Sequence, residues 1–179
     1  LLFAFISCNS FTDKIKPESQ QSFFANLLKT QEEKLNMAKN AVSKISNFNG
    51  ITDTSTIRHI NWSKELAIFY PLDIFKPIYK GAYSNVISIK DGAQLSKYMK
   101  IAKSKSNMDS LIINKNVSGK LQQIAGISTN QNFFFNAKSS YCLMFDTVSG
   151  NLKSYDLYAE KTFIWGKHNA FSISSTILY

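Results

Sequence analysis

The chain has 179 residues, a formal net charge of +9 and 44% hydrophobic residues, 13% of the total being aromatic. That composition excludes a disordered tail and a polytopic membrane protein, and the length suits a single domain with a core of ordinary size. Two cysteines exclude a disulfide framework and a four-thiolate zinc site.

The chain opens Leu1-Leu-Phe-Ala-Phe-Ile-Ser-Cys8 and turns polar at Asn9 and Ser10. A short apolar run ending in a small residue has the shape of the back half of a secretory signal peptide. Phe5-Ile6-Ser7-Cys8 is similar to a bacterial lipobox, in which cleavage precedes a cysteine whose thiol carries diacylglycerol. Phe5 stands where that pattern prefers Leu. The expected organisation is a signal-peptide remnant over 1–7, a polar tether over 8–16 following the lipid on Cys8, and one α+β domain over 17–179. Phe171 to Tyr179 reads as a strand, either closing a sheet or marking a fragment.

From Pro17 to Asn49, apolar residues fall at Phe24, Leu27, Leu28, Leu35, Ala38, Val42 and Ile45. This spacing predicts one long amphipathic helix, with Gln31 as a gap in its apolar face and Asn49-Gly50 as its stop. Ile51 to Thr56 reads as a linker. Pro71, Pro77 and Gly81 break the next apolar runs, leaving Leu66–Tyr70 and Asn85–Ile89 as candidate strands. Asp91-Gly92 turns the chain, and Leu95, Tyr98, Met99 and Ala102 suggest a short helix over 93–104.

The remainder reads as antiparallel hairpins. Leu111–Asn114 and Leu121–Ile127 flank Val117-Ser-Gly-Lys120, while Tyr141–Phe145 and Leu152–Tyr158 flank Val148-Ser-Gly-Asn151. A third hairpin joins Phe163–Trp165 to Phe171–Tyr179 across Gly166-Lys-His-Asn169. The expected fold class is therefore α+β: a long N-terminal amphipathic helix packed on an antiparallel β-meander.

Ile60-Asn-Trp-Ser-Lys64, Leu111-Ile-Ile-Asn-Lys115 with Gly119-Lys-Leu121, and Cys142-Leu-Met-Phe-Asp146 with Gly150-Asn-Leu152 resemble a group of uncharacterised Bacteroidetes lipoproteins. Those carry a lipobox, an early Ile-x-Trp and Gly-Asn or Gly-Lys hairpins. The resemblance implies envelope localisation and this architecture, and assigns no reaction.

Chemistry is sparse. Neither His59 nor His168 has a ligand at metal spacing, so no metal or other cofactor is expected. Cys142 lies mid-strand among Tyr141, Leu143, Met144 and Phe145, which predicts a small core residue rather than a nucleophile. The 12 acidic residues form no paired-acid motif, and there is no phosphate loop and no Gly-x-Ser-x-Gly. Lysine supplies nearly all the positive charge, Arg58 being the one arginine. Lys97, Lys100, Lys103 and Lys105 read as a solvated face, and no nucleic-acid partner is expected.

Aromatics are the excess, with 14 Phe, 8 Tyr and 2 Trp. Trp62, Trp165 and Phe134 are the candidate contacts for a ligand or partner. Three successive phenylalanines at 133–135 cannot all face one side of a strand. The expectation is a non-catalytic, lipid-anchored protein of the cell envelope, periplasmic or on the outer surface. Its partners would be the membrane through the lipid and a protein or a glycan. The alternatives are the N-terminal portion of a secreted hydrolase, and a cystatin-like or transport-factor-like helix-on-sheet pocket for a small apolar ligand.

Overall fold

A computed structural model describes residues 23–179. The proposed signal remnant, Cys8, the tether and the first residues of the expected helix lie outside them. The elements are α1 (Phe23–Ala38), β1 (Ala41–Phe48), β2 (Ile51–Ile57), α2 (Trp62–Ala67), two 3₁₀ turns (Tyr70–Leu72 and Pro77–Tyr79), β3 (Tyr83–Lys90), β4 (Ala93–Lys100), β5 (Met108–Lys115), β6 (Leu121–Gln131), β7 (Phe135–Phe145), β8 (Leu152–Phe163) and β9 (His168–Leu178).

All nine strands form one sheet in the order β2-β1-β9-β8-β7-β6-β5-β4-β3, every pairing antiparallel. Strands β3 to β9 are neighbours in both chain and sheet. The β1–β2 hairpin then adds to the β9 side.

This overturns the expected long helix on a meander: the protein is largely β, with α1 only 16 residues long. The helix stops at Lys39, whose φ of 49° is left-handed. Asn49-Gly50, read as a helix stop, is a two-residue hairpin turn. Phe48 pairs with Ile51 across it, and both turn residues have positive φ, 50° and 91°, as a type I′ turn requires. Ile51–Ile57 is consequently an edge strand and not a linker. Asp91-Gly92 repeats the device, with φ of 51° and 80° and Lys90 pairing with Ala93. The expected helix over 93–104 is therefore strand β4. Leu66–Tyr70, expected as a strand, is the end of α2 and the turn after it. Asn61 starts α2 by accepting the Lys64 N–H on its side-chain oxygen at 3.0 Å.

Register decides which side chains meet. Tyr98, Leu111, Gly126, Tyr141, Leu157 and Ile173 form one cross-strand row. Their face carries α1, α2 and the first 3₁₀ turn. Phe24, Leu28 and Leu35 from α1, Leu66 from α2, and Phe69 and Leu72 after it pack onto Leu111, Ile124, Leu143, Tyr155 and Val42. Val42 and Ile45, both assigned to one helical face, part company in the strand. Val42 is buried, whereas Ile45 alternates to the opposite face and is exposed.

Gln31 and Glu65 tie this layer together through hydrogen bonds. Gln31, the gap in the apolar stripe, is buried. Its Oε1 accepts the Leu152 N–H at 2.8 Å and its Nε2 donates to the Gly150 carbonyl at 3.0 Å, fastening α1 to the β7–β8 turn. Glu65 Oε1 accepts from both Lys44 Nζ and the Tyr155 hydroxyl, each at 2.5 Å. Burial and the neighbouring Glu65 carboxylate push the Tyr155 hydroxyl well above its usual pKa.

Candidate aromatic surface at the hairpin tips

The sheet has two ends. At one lie the β3–β4, β5–β6 and β7–β8 turns, the last of them held under α1 by Gln31. At the other lie the β1–β2, β6–β7 and β8–β9 turns, beyond the helical layer. Strands β6 to β9, at 11 or 12 residues each, extend past the cover, so their tips project.

The two projecting tips are aromatic. Phe133 is 79% exposed, Phe134 60%, Ile164 61% and Trp165 65%. They lie on adjacent tips because β7 and β8 are paired throughout, Phe135 opposite Phe163, and because the Ile164 N–H donates to the Phe134 carbonyl at 3.0 Å. The β6–β7 turn is shaped by Asn132, whose Oδ1 accepts the N–H groups of Phe134 and Phe135 at 2.8 and 3.0 Å. Behind the exposed rings runs a supporting ladder. Trp165 stacks on Phe163 at 4.8 Å between centroids, and Phe163 meets Phe135 edge-on at 6.3 Å. Lys161 Nζ lies over Phe135 at 3.8 Å and over Phe163 at 4.8 Å, a cation–π arrangement that holds the ammonium against the rings. Phe48 and Ile51, exposed at the neighbouring β1–β2 turn, continue the apolar character down one flank.

The three nominated contact residues thus separate. Phe134 and Trp165, thirty-one positions apart, come together on adjacent tips. Trp62 does not join them; it is 2% exposed and part of the core cluster. Ile164 and Lys161 were not singled out, and Phe133 entered only as part of the run 133–135. Their signal was a Phe-Phe-Phe run and a Phe-Ile-Trp run, each beside a polar turn residue.

The reactive candidates stay apart. Cys142 lies on the sheet face opposite the helices, opposite Ala125 and Asp156 in register. Gln123 Nε2 donates to its sulfur at 3.4 Å. Burial, with the Asp156 carboxylate adding to it, raises the thiol pKa despite the Gln123 contact. His168 is six residues along β8 from that level, ~20 Å at strand rise, where its Nδ1 pairs with the Thr162 hydroxyl at 3.0 Å. His59 lies with Glu32, Lys39, Arg58 and Trp62 along an open cleft between the end of α1 and the β2–α2 connection. Among the described residues no three His, Cys, Asp or Glu side chains are grouped to hold a metal ion. The lysine cluster also divides. Lys97 and Lys100 take opposite faces of β4, Lys100 pairing with Asp109 at 2.5 Å, and Lys103 and Lys105 border a separate recess beside Tyr79.

Comparison with known proteins gives no matching family model, no matching curated protein and no matching solved structure. Among the described residues no helix is long and apolar enough to cross a membrane.

Proposed function

We propose that this chain is a lipid-anchored protein of a bacterial cell envelope that acts by non-catalytic binding, with the β6–β7 and β8–β9 tips as its contacting surface. The observation that carries the reading is the pairing of the two tips. Four large apolar side chains, from loops that interior packing does not constrain, stand exposed on tips joined by the Ile164–Phe134 backbone hydrogen bond, with Phe133 against Phe134 and Trp165 stacked on Phe163. A soluble domain rarely fixes such a group at a protruding end unless the surface meets something. The lipobox-like Phe5-Ile6-Ser7-Cys8 supports attachment at Cys8, and the similarity of its hairpins to the Bacteroidetes lipoprotein group supports the same location. The separation of Cys142 from both histidines weighs against the hydrolase alternative. The cleft between α1, β1 and the start of α2 is open and lined by Glu32, Lys39, Arg58 and His59, which weighs against a buried apolar-ligand pocket.

Two arms test this. Cys8→Ala should abolish incorporation of labelled fatty acid and release the protein from the membrane fraction. Phe134→Ser with Trp165→Ser, in the Cys8→Ala background, should reduce binding of added protein to isolated cell envelopes by tenfold or more. Fatty-acid labelling unchanged by Cys8→Ala would contradict the anchor, and envelope binding unchanged by the tip variant would contradict the surface.

A further inference from the structure

The chemistry of the tips points to a partner. We infer that the two hairpin tips dock on an anionic lipid bilayer, with Phe133, Phe134, Ile164 and Trp165 entering the interface and lysines behind them meeting the headgroups. The inference rests on the tips being the binding surface and is independent of the lipid on Cys8.

Three observations favour a bilayer over a protein or a glycan. First, the aromatic side chains stand on hairpin ends, and the recess among them, between Phe133–Phe135 and Phe163–Ile164, is shallow and open. Protruding loop ends penetrate a soft interface and do not fill a preformed groove. Second, polarity is layered along the strands. The outermost positions are apolar, and Lys161, Lys167 and His168 follow within a few residues. Residues 131–138 and 161–171 contain no Asp or Glu. The nearest carboxylate on these strands, Glu160, is opposite Lys138 in register and accepts from the Tyr158 hydroxyl. Aromatic rings at the apolar boundary with lysines one layer back is the arrangement that membrane interfaces select. A net charge of +9 adds long-range attraction to anionic lipid. Third, the Asn132 carboxamide oxygen, a polar group at the tip that a sugar could use, is occupied by the amides of Phe134 and Phe135.

The tryptophans supply the readout. Trp165 is at the tip and 65% exposed, whereas Trp62 is 2% exposed in the core. A change in emission on adding vesicles therefore reports Trp165. The full chain carrying Cys8→Ala is titrated with phosphatidylglycerol-containing vesicles and, separately, with phosphatidylcholine vesicles. The expected result is a blue shift with the anionic vesicles, quenching by lipids brominated on the acyl chain, and apparent affinity lower by about tenfold or more for Phe134→Ser, which keeps the reporter. Binding that survives Phe134→Ser, or adsorption without a Trp165 shift, would overturn the inference. If the tip variants lose envelope binding while vesicles are ignored and protease or glycosidase treatment of the envelopes removes the sites, the inference fails and the tips remain the binding surface. If the tip variants bind both envelopes and vesicles as the parent does, both readings fail.

Discussion

Leu72 lies directly over Gly126. A β-carbon built on Gly126 would sit 2.3 Å from Leu72 Cδ2, 3.1 Å from Met108 Sδ and 3.3 Å from the Ser110 carbonyl. The 3₁₀ turn that carries Leu72 thus seats its side chain on bare backbone in the middle of the sheet. Leu72 is fully buried, so it has no room to retreat. Gly126→Ala should destabilise the protein by about 1–3 kcal/mol through overpacking, read as a lower urea midpoint at unchanged slope. A neutral substitution would mean that the layer between Leu72 and the sheet is loosely packed.

Gln31 fastens α1 to the sheet by backbone hydrogen bonds. Gln31→Ala leaves the buried Leu152 amide and Gly150 carbonyl without partners, at a cost of about 1–3 kcal/mol. Hydrogen exchange resolves the effect: the Leu152 amide should lose protection ahead of the β6 and β7 amides. Retained protection at Leu152 would show that another acceptor replaces Gln31.

Tyr155 gives stability an alkaline limit. Its folded pKa is raised above the unfolded value of about 10, burial being the larger cause and Glu65 the next. Below that value both states are protonated and the stabilisation is fully present. Above it the unfolded chain releases the proton while the folded one retains it, so stability falls as pH rises. Tyr155→Phe should cost about 1–3 kcal/mol at neutral pH, by removing a hydrogen bond to a charged acceptor. It should also flatten the decline in stability above pH ~10. Parallel pH profiles for the two proteins would contradict this role.

Cys142 should react slowly with a small alkylating reagent at neutral pH, because burial and the nearby Asp156 both disfavour the thiolate. Labelling as fast as a peptide cysteine, with a midpoint below ~8.5, would reopen the enzyme reading.

The sequence made the C-terminal hairpins legible because their turns are written in polar residues and glycine between short apolar strands. Asn116 Oδ1 accepts the Ser118 and Lys120 amides, and Asp146 Oδ1 accepts those of Val148 and Ser149, so each Val-Ser-Gly unit is closed by a side-chain oxygen ahead of it, one residue before Val117 and two before Val148. The segment 39–48 misled because Leu35, Ala38, Val42 and Ile45 keep helical spacing by coincidence. Asn49-Gly50 and Asp91-Gly92 were the stronger signals, since each is the dipeptide that a two-residue hairpin demands. Gln31 looked like a defect because a buried amide acquires its purpose only from a turn more than a hundred residues away. Phe134 and Trp165 could each be nominated from their surroundings, but their adjacency depends on the β7–β8 register, which residue types alone do not encode. Trp62 was misplaced for a related reason: with Leu66 it forms the buried face of α2, a helix too short to show a clear period.

The account stands or falls on whether the aromatic tips are covered in the envelope. The most direct measurement is oxidative side-chain footprinting of the full protein in native envelopes and after detergent extraction and removal of lipid. Val117 and Val148, exposed on turns at the other end of the sheet, serve as internal references. The account predicts that Phe133, Phe134 and Trp165 are protected in envelopes and become labelled once extracted, while the two valines label alike in both states. Equal labelling of the tips in both states, with the references behaving as expected, would contradict it.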